Sequence, residues 1–204
     1  MNAKISDKRK IDRPPAAPGY YCTELHDLLD ELRSRPLIVI SGPPGIGKST
    51  LVATYIDTRS VPGIWYQIDK DDDDLATFFH HFEKALYEVE LGAKIKLPNL
   101  TPKASKNIVE YAKRYFEQIY KHLKVPFLIV LDDYHEVSQD AALHNVLQVA
   151  CTELPKGGRI VVITDMECPP LLAQLRSSNM VAIIESRDFQ MSPSRVIASL
   201  PSEK

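Results

Sequence analysis

The chain is 204 residues long, enough for one well-packed core and short for two. Hydrophobic residues make up 44% and charged residues 25%, the balance of an ordinary globular domain. A formal net charge of -2 excludes a broadly electropositive surface of the kind that grips nucleic acid without sequence preference, so any DNA-binding element is expected elsewhere.

Residues 1–18 mix charge with Pro14, Pro15 and Pro18 and read as a flexible arm, with order expected to begin near Tyr20. No apolar stretch follows the N-terminal Lys and Arg residues, so no secretory signal is read there. The apolar runs, such as Val125 to Leu131, fall far short of the roughly 18 residues that span a bilayer. A cytoplasmic protein with no membrane partner is expected. Cys22, Cys151 and Cys168 form an odd set with no CxxC spacing, which fits reduced thiols better than disulfides.

From Thr23 to Leu32 the leucines at 25, 28, 29 and 32 recur at helical spacing, and Arg35-Pro36 ends the helix. Leu37 to Ser41 is branched and uncharged, as in a strand covered on both faces. A glycine-rich turn and a helix from Lys48 to Ile56 follow, then a strand from Ile64 to Ile68. Leu75, Phe78, Phe79, Phe82, Leu86 and Val89 mark an amphipathic helix, preceded by Asp71 to Asp74, which reads as a helix cap and a solvated acidic turn. A longer helix is expected from Ser105 to Leu123, and strands over Phe127 to Leu131, Arg159 to Thr164 and Val181 to Ile184. Helices are expected over Ala141 to Thr152 and Leu171 to Arg176. Strands alternating with helices predict an α/β fold, a three-layer αβα sandwich around a mainly parallel five-stranded sheet. Ser192-Pro193 opens a last helix just before the chain stops, so the expected division is an arm over 1–18, one domain over 19–190, and the start of a truncated helical domain over 191–204.

Chemistry concentrates in two places. The loop Gly42, Pro43, Pro44, Gly45, Ile46, Gly47, Lys48, Ser49 and Thr50 matches G-x-x-x-x-G-K-[ST] between a strand and a helix. Its glycines let backbone N–H groups turn inward to phosphate oxygens at the positive end of a helix. Lys48 can bridge terminal phosphates and the Ser49 hydroxyl can ligate Mg2+. The second place is Asp132-Asp133, at the end of the strand that starts at Phe127. In a parallel sheet the strand ends converge on one crevice, so Asp132 is read as the magnesium carboxylate and Asp133 as the group that polarises the attacking water. The six histidines, His80 and His81 among them, show no metal-binding spacing.

Leu131-Asp132-Asp133-Tyr134-His135 resembles the Walker B motif of the STAND ATPases, the signal-transduction ATPases with numerous domains, in the branch of the maltose-regulon activator and the large LuxR-type bacterial regulators. The block Ile64-Trp65-Tyr66-Gln67-Ile68-Asp69, with the aspartates and Phe78-Phe79 behind it, is similar to the same branch, as is Arg13-Pro14 ahead of the leucine-rich helix. The resemblance covers roughly residues 11 to 190. It implies an ATP/ADP switch in which the strand ending at Thr164 lies between those of the two motifs. It also implies self-association in the ATP state, DNA contact only through a C-terminal domain, and adenine flanked by Tyr20 and Tyr21. One departure stands out. Where the family ends its fourth strand with Ser-Arg, this chain has Thr164-Asp165, so hydrolysis is expected to be weak or absent. Arg176 is the nearest substitute cation, and nucleotide binding is expected to be independent of Asp165. Two other classes stay open: a nucleotide or small-molecule kinase, although no arginine-rich lid is legible, and a binding-only module.

Overall fold

A computed structural model gives the architecture, and the structure describes residues 10–15, 22–88, 95–166 and 179–190. Helix α1 (Thr23–Glu31) leads through a short 3-10 turn to strand β1 (Leu37–Ser41). The glycine-rich loop opens α2 (Lys48–Arg59), and β2 (Gly63–Gln67), α3 (Leu75–Glu88), α4 (Pro102–Ser105) and α5 (Ile108–His122) follow. Then come β3 (Phe127–Asp132), α6 (Leu143–Thr152), β4 (Gly158–Thr164), β5 (Val181–Ile184) and α7 (Ser186–Gln190). Among the described residues no helix is long and apolar enough to cross a membrane.

All five strands are parallel, in the order β2-β3-β4-β1-β5. The strand ending at Thr164 therefore lies between β1 and β3, as the resemblance implies. Side chains alternate across a strand, and the burial follows that period. Leu37 and Val39 join Tyr66, Phe78, Phe82, Tyr115 and Ile129 in one core. Ile38 and Ile40 join Leu25, Leu51, Tyr55, Trp65 and Val130 in the other. One core lies under α3, α5 and α6, the other under α1 and α2, and the sheet between them makes three layers.

The expected helix from Ser105 to Leu123 is α5, which starts at Ile108, while Ser105 ends the separate short helix α4. Thr101 caps α4 through Ala104 N–H and Asn107 caps α5 through Glu110 N–H, and each cap competes with a continuous helix at that point. The segment 171–176 and the helix from Ser192-Pro193 lie outside the described residues, as does Cys168. Cys22 and Cys151 are buried free thiols.

The acidic run is not a solvated turn throughout. Asp74 does cap α3, accepting from the N–H and hydroxyl of Thr77. Asp72, however, is fully buried. Its carboxylate accepts from Lys10 Nζ at 2.9 Å, Tyr66 Oη at 2.7 Å and Asp69 N–H at 2.9 Å. Lys10 is itself 5% exposed and reaches Asp69 Oδ1 at 2.7 Å. Residues 10–15, which composition assigns to the arm, thus bring a cation to β2, and Arg13 pairs with Asp57 on α2 at 2.7 Å. Asp73 accepts from the N–H and hydroxyl of Ser138 and ties this turn to the chain after β3.

Candidate nucleotide site

The glycine-rich loop leaves the end of β1 in backbone conformations that L side chains avoid. Gly42 has φ 150°, and a Cβ there would lie 2.5 Å from Ser186 Oγ and 2.6 Å from Ile46 Cδ1. Gly47, at φ 93°, is the N-cap of α2 and brings no side chain to its first turn. The loop thus curls tightly into the positive end of a 12-residue helix, an arrangement suited to anions.

Register decides what faces the loop. Ser41 pairs with Thr164, and Gly42 N–H donates to Thr164 O at 3.3 Å, so the residue after β4 lies beside the loop. That residue is Asp165. Lys48 Nζ donates to Asp165 Oδ1 at 2.7 Å, to Gly42 O at 2.7 Å and to Pro43 O at 2.9 Å. The Lys48 side chain is 6% exposed and that of Asp165 29%. The loop's lysine is therefore not independent of Asp165, contrary to the expectation from sequence.

One strand further along the sheet, β3 delivers its acidic end. Ser49 Oγ donates to Asp132 Oδ1 at 3.0 Å, and Asp133 N–H donates to the same oxygen at 3.0 Å. Burial, and after it the neighbouring Asp133 charge, push the Asp132 carboxyl up to about 6, against the pull of the Ser49 hydroxyl and Lys48. A buried anion with so little compensation is a fitting partner for a cation. One carboxylate and one hydroxyl suit Mg2+ in particular, which keeps waters and takes phosphate oxygens rather than needing an all-protein cage.

Asp133 sits in the left-handed region at φ 56°, a conformation costing about 1 kcal/mol in a non-glycine residue. Its Oδ2 accepts from Gln67 Nε2 at 2.7 Å, from the neighbouring strand. The next residues are anchored: Tyr134 is buried, its hydroxyl meets His144 Nδ1 at 2.8 Å, and His144 Nε2 meets Ser138 O at 2.9 Å. His135 reaches back to the other side, where its Nδ1 accepts from Asp165 N–H at 3.4 Å.

The structure brings Gly42 to Thr50, Asp132 and Asp133 to one end of the sheet; Tyr20, Tyr21 and Arg176 lie outside the described residues. It adds Ser41, Met166, Glu185, Ser186 and Arg187, which sequence reasoning missed. Ser41, Gly42, Pro43, Asp165 and Met166 share a cavity of about 470 Å³ with Glu185, Ser186 and Arg187. The short helix α7 that carries the last two has no motif, and only the register of β5 against β1 brings it to the loop.

The model of the "AAA ATPase domain" family matches residues 21–163, more than two thirds of the chain. The HTH-type transcriptional regulator MalT of Vibrio parahaemolyticus is 26% identical over 159 residues, which is 76% of this chain and 17% of that protein. The serine/threonine-protein kinase PknK of Mycobacterium tuberculosis is 26% identical over 197 residues, 92% of this chain and again 17% of that one. The chain thus spans about a sixth of the length of the curated relatives it matches. Among solved structures, a chain of Drosophila ORC bound to AT-rich DNA and Cdc6 aligns at TM-score 0.49 and 10% identity, covering 88% of this chain and 63% of that chain.

Proposed function

The chain belongs to the AAA ATPase domain family, and from that premise we propose that it is the nucleotide-operated switch module, of STAND type, of a larger bacterial signalling or transcriptional regulator. The observation that carries this reading is the meeting of Ser49, in the first turn of the helix after β1, with Asp132 at the end of β3 at 3.0 Å, although β4 separates the two strands, with Lys48 beside them. A hydroxyl, a carboxylate and an ammonium converge at the mouth of an amide-lined loop, which is the donor set that a Mg2+-bound triphosphate requires. The N–H groups of the loop beyond Pro44 would hold phosphate oxygens, Lys48 would neutralise the terminal charge, and Ser49 with Asp132 would hold the cation. Magnesium, when bound, spreads the negative charge of the phosphates. Asp133, fixed by Gln67, orients a water toward the terminal phosphate.

Two relatives with different named activities share one stretch with this chain, and that stretch is about a sixth of each. What they have in common is therefore a module and not an output, which supports a switch read by other domains. Under this proposal the ATPase domain extends over residues 19–190, with Lys10 and Arg13 ahead of it paired to Asp72 and Asp57. DNA is contacted through a C-terminal domain, self-association accompanies the ATP state, and the protein works in the cytoplasm. Replacing Lys48 by Ala is expected to weaken binding of a labelled ATP analogue with Mg2+ by at least about a hundredfold, since a buried charge-assisted contact is lost. Undiminished affinity overturns the assignment.

A specific observation favours a second reading, a module that binds without hydrolysing: Asp165 presents a carboxylate, and not a cation, beside Lys48. Single-turnover hydrolysis decides between the two. A rate that falls when Asp133 is replaced by Ala supports the slow ATPase, and identical rates support the inert module.

A further inference from the structure

The ion pair between Lys48 and Asp165 bears on which nucleotide the site accepts. An ammonium group has three N–H donors. Here Gly42 O, Pro43 O and Asp165 Oδ1 take all three, at 2.7, 2.9 and 2.7 Å. With its side chain only 6% exposed, Lys48 has little water with which to extend that set. A phosphate oxygen can reach the ammonium only by replacing one of the three acceptors. The two carbonyls belong to the loop that cradles the phosphates and move with it, whereas the Asp165 side chain is 29% exposed and lies in the bend just after β4. Asp165 is the exchangeable partner.

Its position determines which phosphate it opposes. Asp165 lies between the loop and the turn that follows β3, held to that turn by its N–H bond to His135 Nδ1. It therefore occupies the flank of Lys48 that faces the Asp132-Asp133 strand end, where the last phosphate of a triphosphate has to sit if Asp132 is to share its cation. We propose that Asp165 is a specificity-determining residue whose carboxylate competes with the terminal phosphate for Lys48, so that the module binds nucleoside diphosphate in preference to triphosphate. The inference rests on the nucleotide-binding reading above. A diphosphate fills the amide cradle without bringing a further dianionic group against the carboxylate, whereas a triphosphate has to expel it from Lys48. His135 offers the expelled carboxylate a neighbour. Its Nδ1 accepts in the structure, so the neutral ring carries its proton on Nε2, 3.9 Å from Asp165 Oδ2.

Isothermal titration of the protein with ADP and with a non-hydrolysable ATP analogue, both with Mg2+, tests the proposal, using Asp165→Asn, Asp165→Ser and Lys48→Ala beside the unaltered chain. ADP is expected to bind the unaltered chain at least about tenfold more tightly than the triphosphate analogue. Both Asp165 variants are expected to gain at least about tenfold for the analogue and to change less for ADP, which narrows or closes the gap. Equal affinities in the unaltered chain, or an Asp165 effect that is the same for both nucleotides, overturns the proposal while leaving the nucleotide site intact. Absence of binding by either nucleotide to any variant overturns the nucleotide reading itself and the inference with it. Thermal melting of each variant identifies any that has failed to fold, and the presence of two substitutions at Asp165 keeps the comparison available.

Discussion

Two lysines in this protein are almost equally hidden, and each ends on an aspartate. Lys10 and Lys48 both have side chains 6% exposed, and the pairs close at 2.9 and 2.7 Å. The aspartates differ. Asp72 is fully buried and accepts from Tyr66 and a backbone N–H as well, whereas Asp165 is 29% exposed on the wall of a cavity. An ion pair closed off from water and satisfied on all sides has nowhere to go and acts as a fastener. An ion pair whose anion is partly exposed on a cavity wall can exchange that anion for another. Burial of the lysine alone does not separate structure from function here; the surroundings of its partner do.

Breaking the closed pair should give the largest effect on stability. Asp72→Ala leaves Lys10, the Tyr66 hydroxyl and the Asp69 N–H without their shared acceptor, and about 3 kcal/mol of unfolding free energy is expected to go. Urea denaturation of the variant against the unaltered chain measures it. The Tyr66 hydroxyl adds a spectroscopic check, because burial and the Asp72 carboxylate push its ionisation far up. In Asp72→Ala the hydroxyl should ionise at lower pH. A loss under about 1 kcal/mol would mean that the pair is no fastener.

The next effect has the opposite sign. Asp132 titrates at about 6 in the folded chain, above the ordinary carboxylate value of about 3.9. Between these values the folded state holds a proton that the unfolded state has released. The stabilisation is fully present below about pH 4 and is lost as pH rises through about 6, so stability of the nucleotide-free protein should decline across that window. The decline is expected to be about 2 kcal/mol, read from urea midpoints at several pH values. Asp132→Asn keeps the acceptor for Ser49 and for the Asp133 N–H, removes the charge, and should flatten the decline. At pH 7.5 the variant is expected to be the more stable protein and to have lost its Mg2+-dependent affinity for nucleotide, a trade characteristic of groups retained for binding. A slope that survives the substitution assigns the titration to another group.

The comparison also explains what the sequence could and could not reveal. The loop from Gly42 to Thr50 was legible because its function is written in nine consecutive residues, and Asp132-Asp133 because a buried strand points at it. The place of β4 between β1 and β3 followed from the resemblance, and the alternation of strands with helices from local pattern. Neither ion pair was legible. Lys10 and Asp72 are 62 residues apart and Lys48 and Asp165 are 117 apart, so only the packed fold joins them. Composition misled in both regions. Four consecutive aspartates read as a solvated turn, because nothing local signals that Asp72 receives a lysine from a segment rich in charge and proline. Asp165 read as a mere loss of the family's arginine, because repulsion of phosphate can be argued from charge alone whereas capture of Lys48 depends on the register of β1 against β4.

The smallest expected effect is the sharpest test of the difference between the pairs. Asp165→Asn should change unfolding free energy by less than about 1 kcal/mol, since Asp165 itself is 29% exposed and a partly exposed pair is screened. Lys48 keeps the Gly42 and Pro43 carbonyls, and the asparagine oxygen can still accept from it, so no buried donor is stranded. The same measurement on Asp72→Asn should show a clear loss, because Asp72 has no water to turn to and one side of the new amide meets donors it cannot accept. If the two substitutions destabilise the chain equally, the open pair is as structural as the closed one, and a nucleotide would have to break the fold's own fastening to enter.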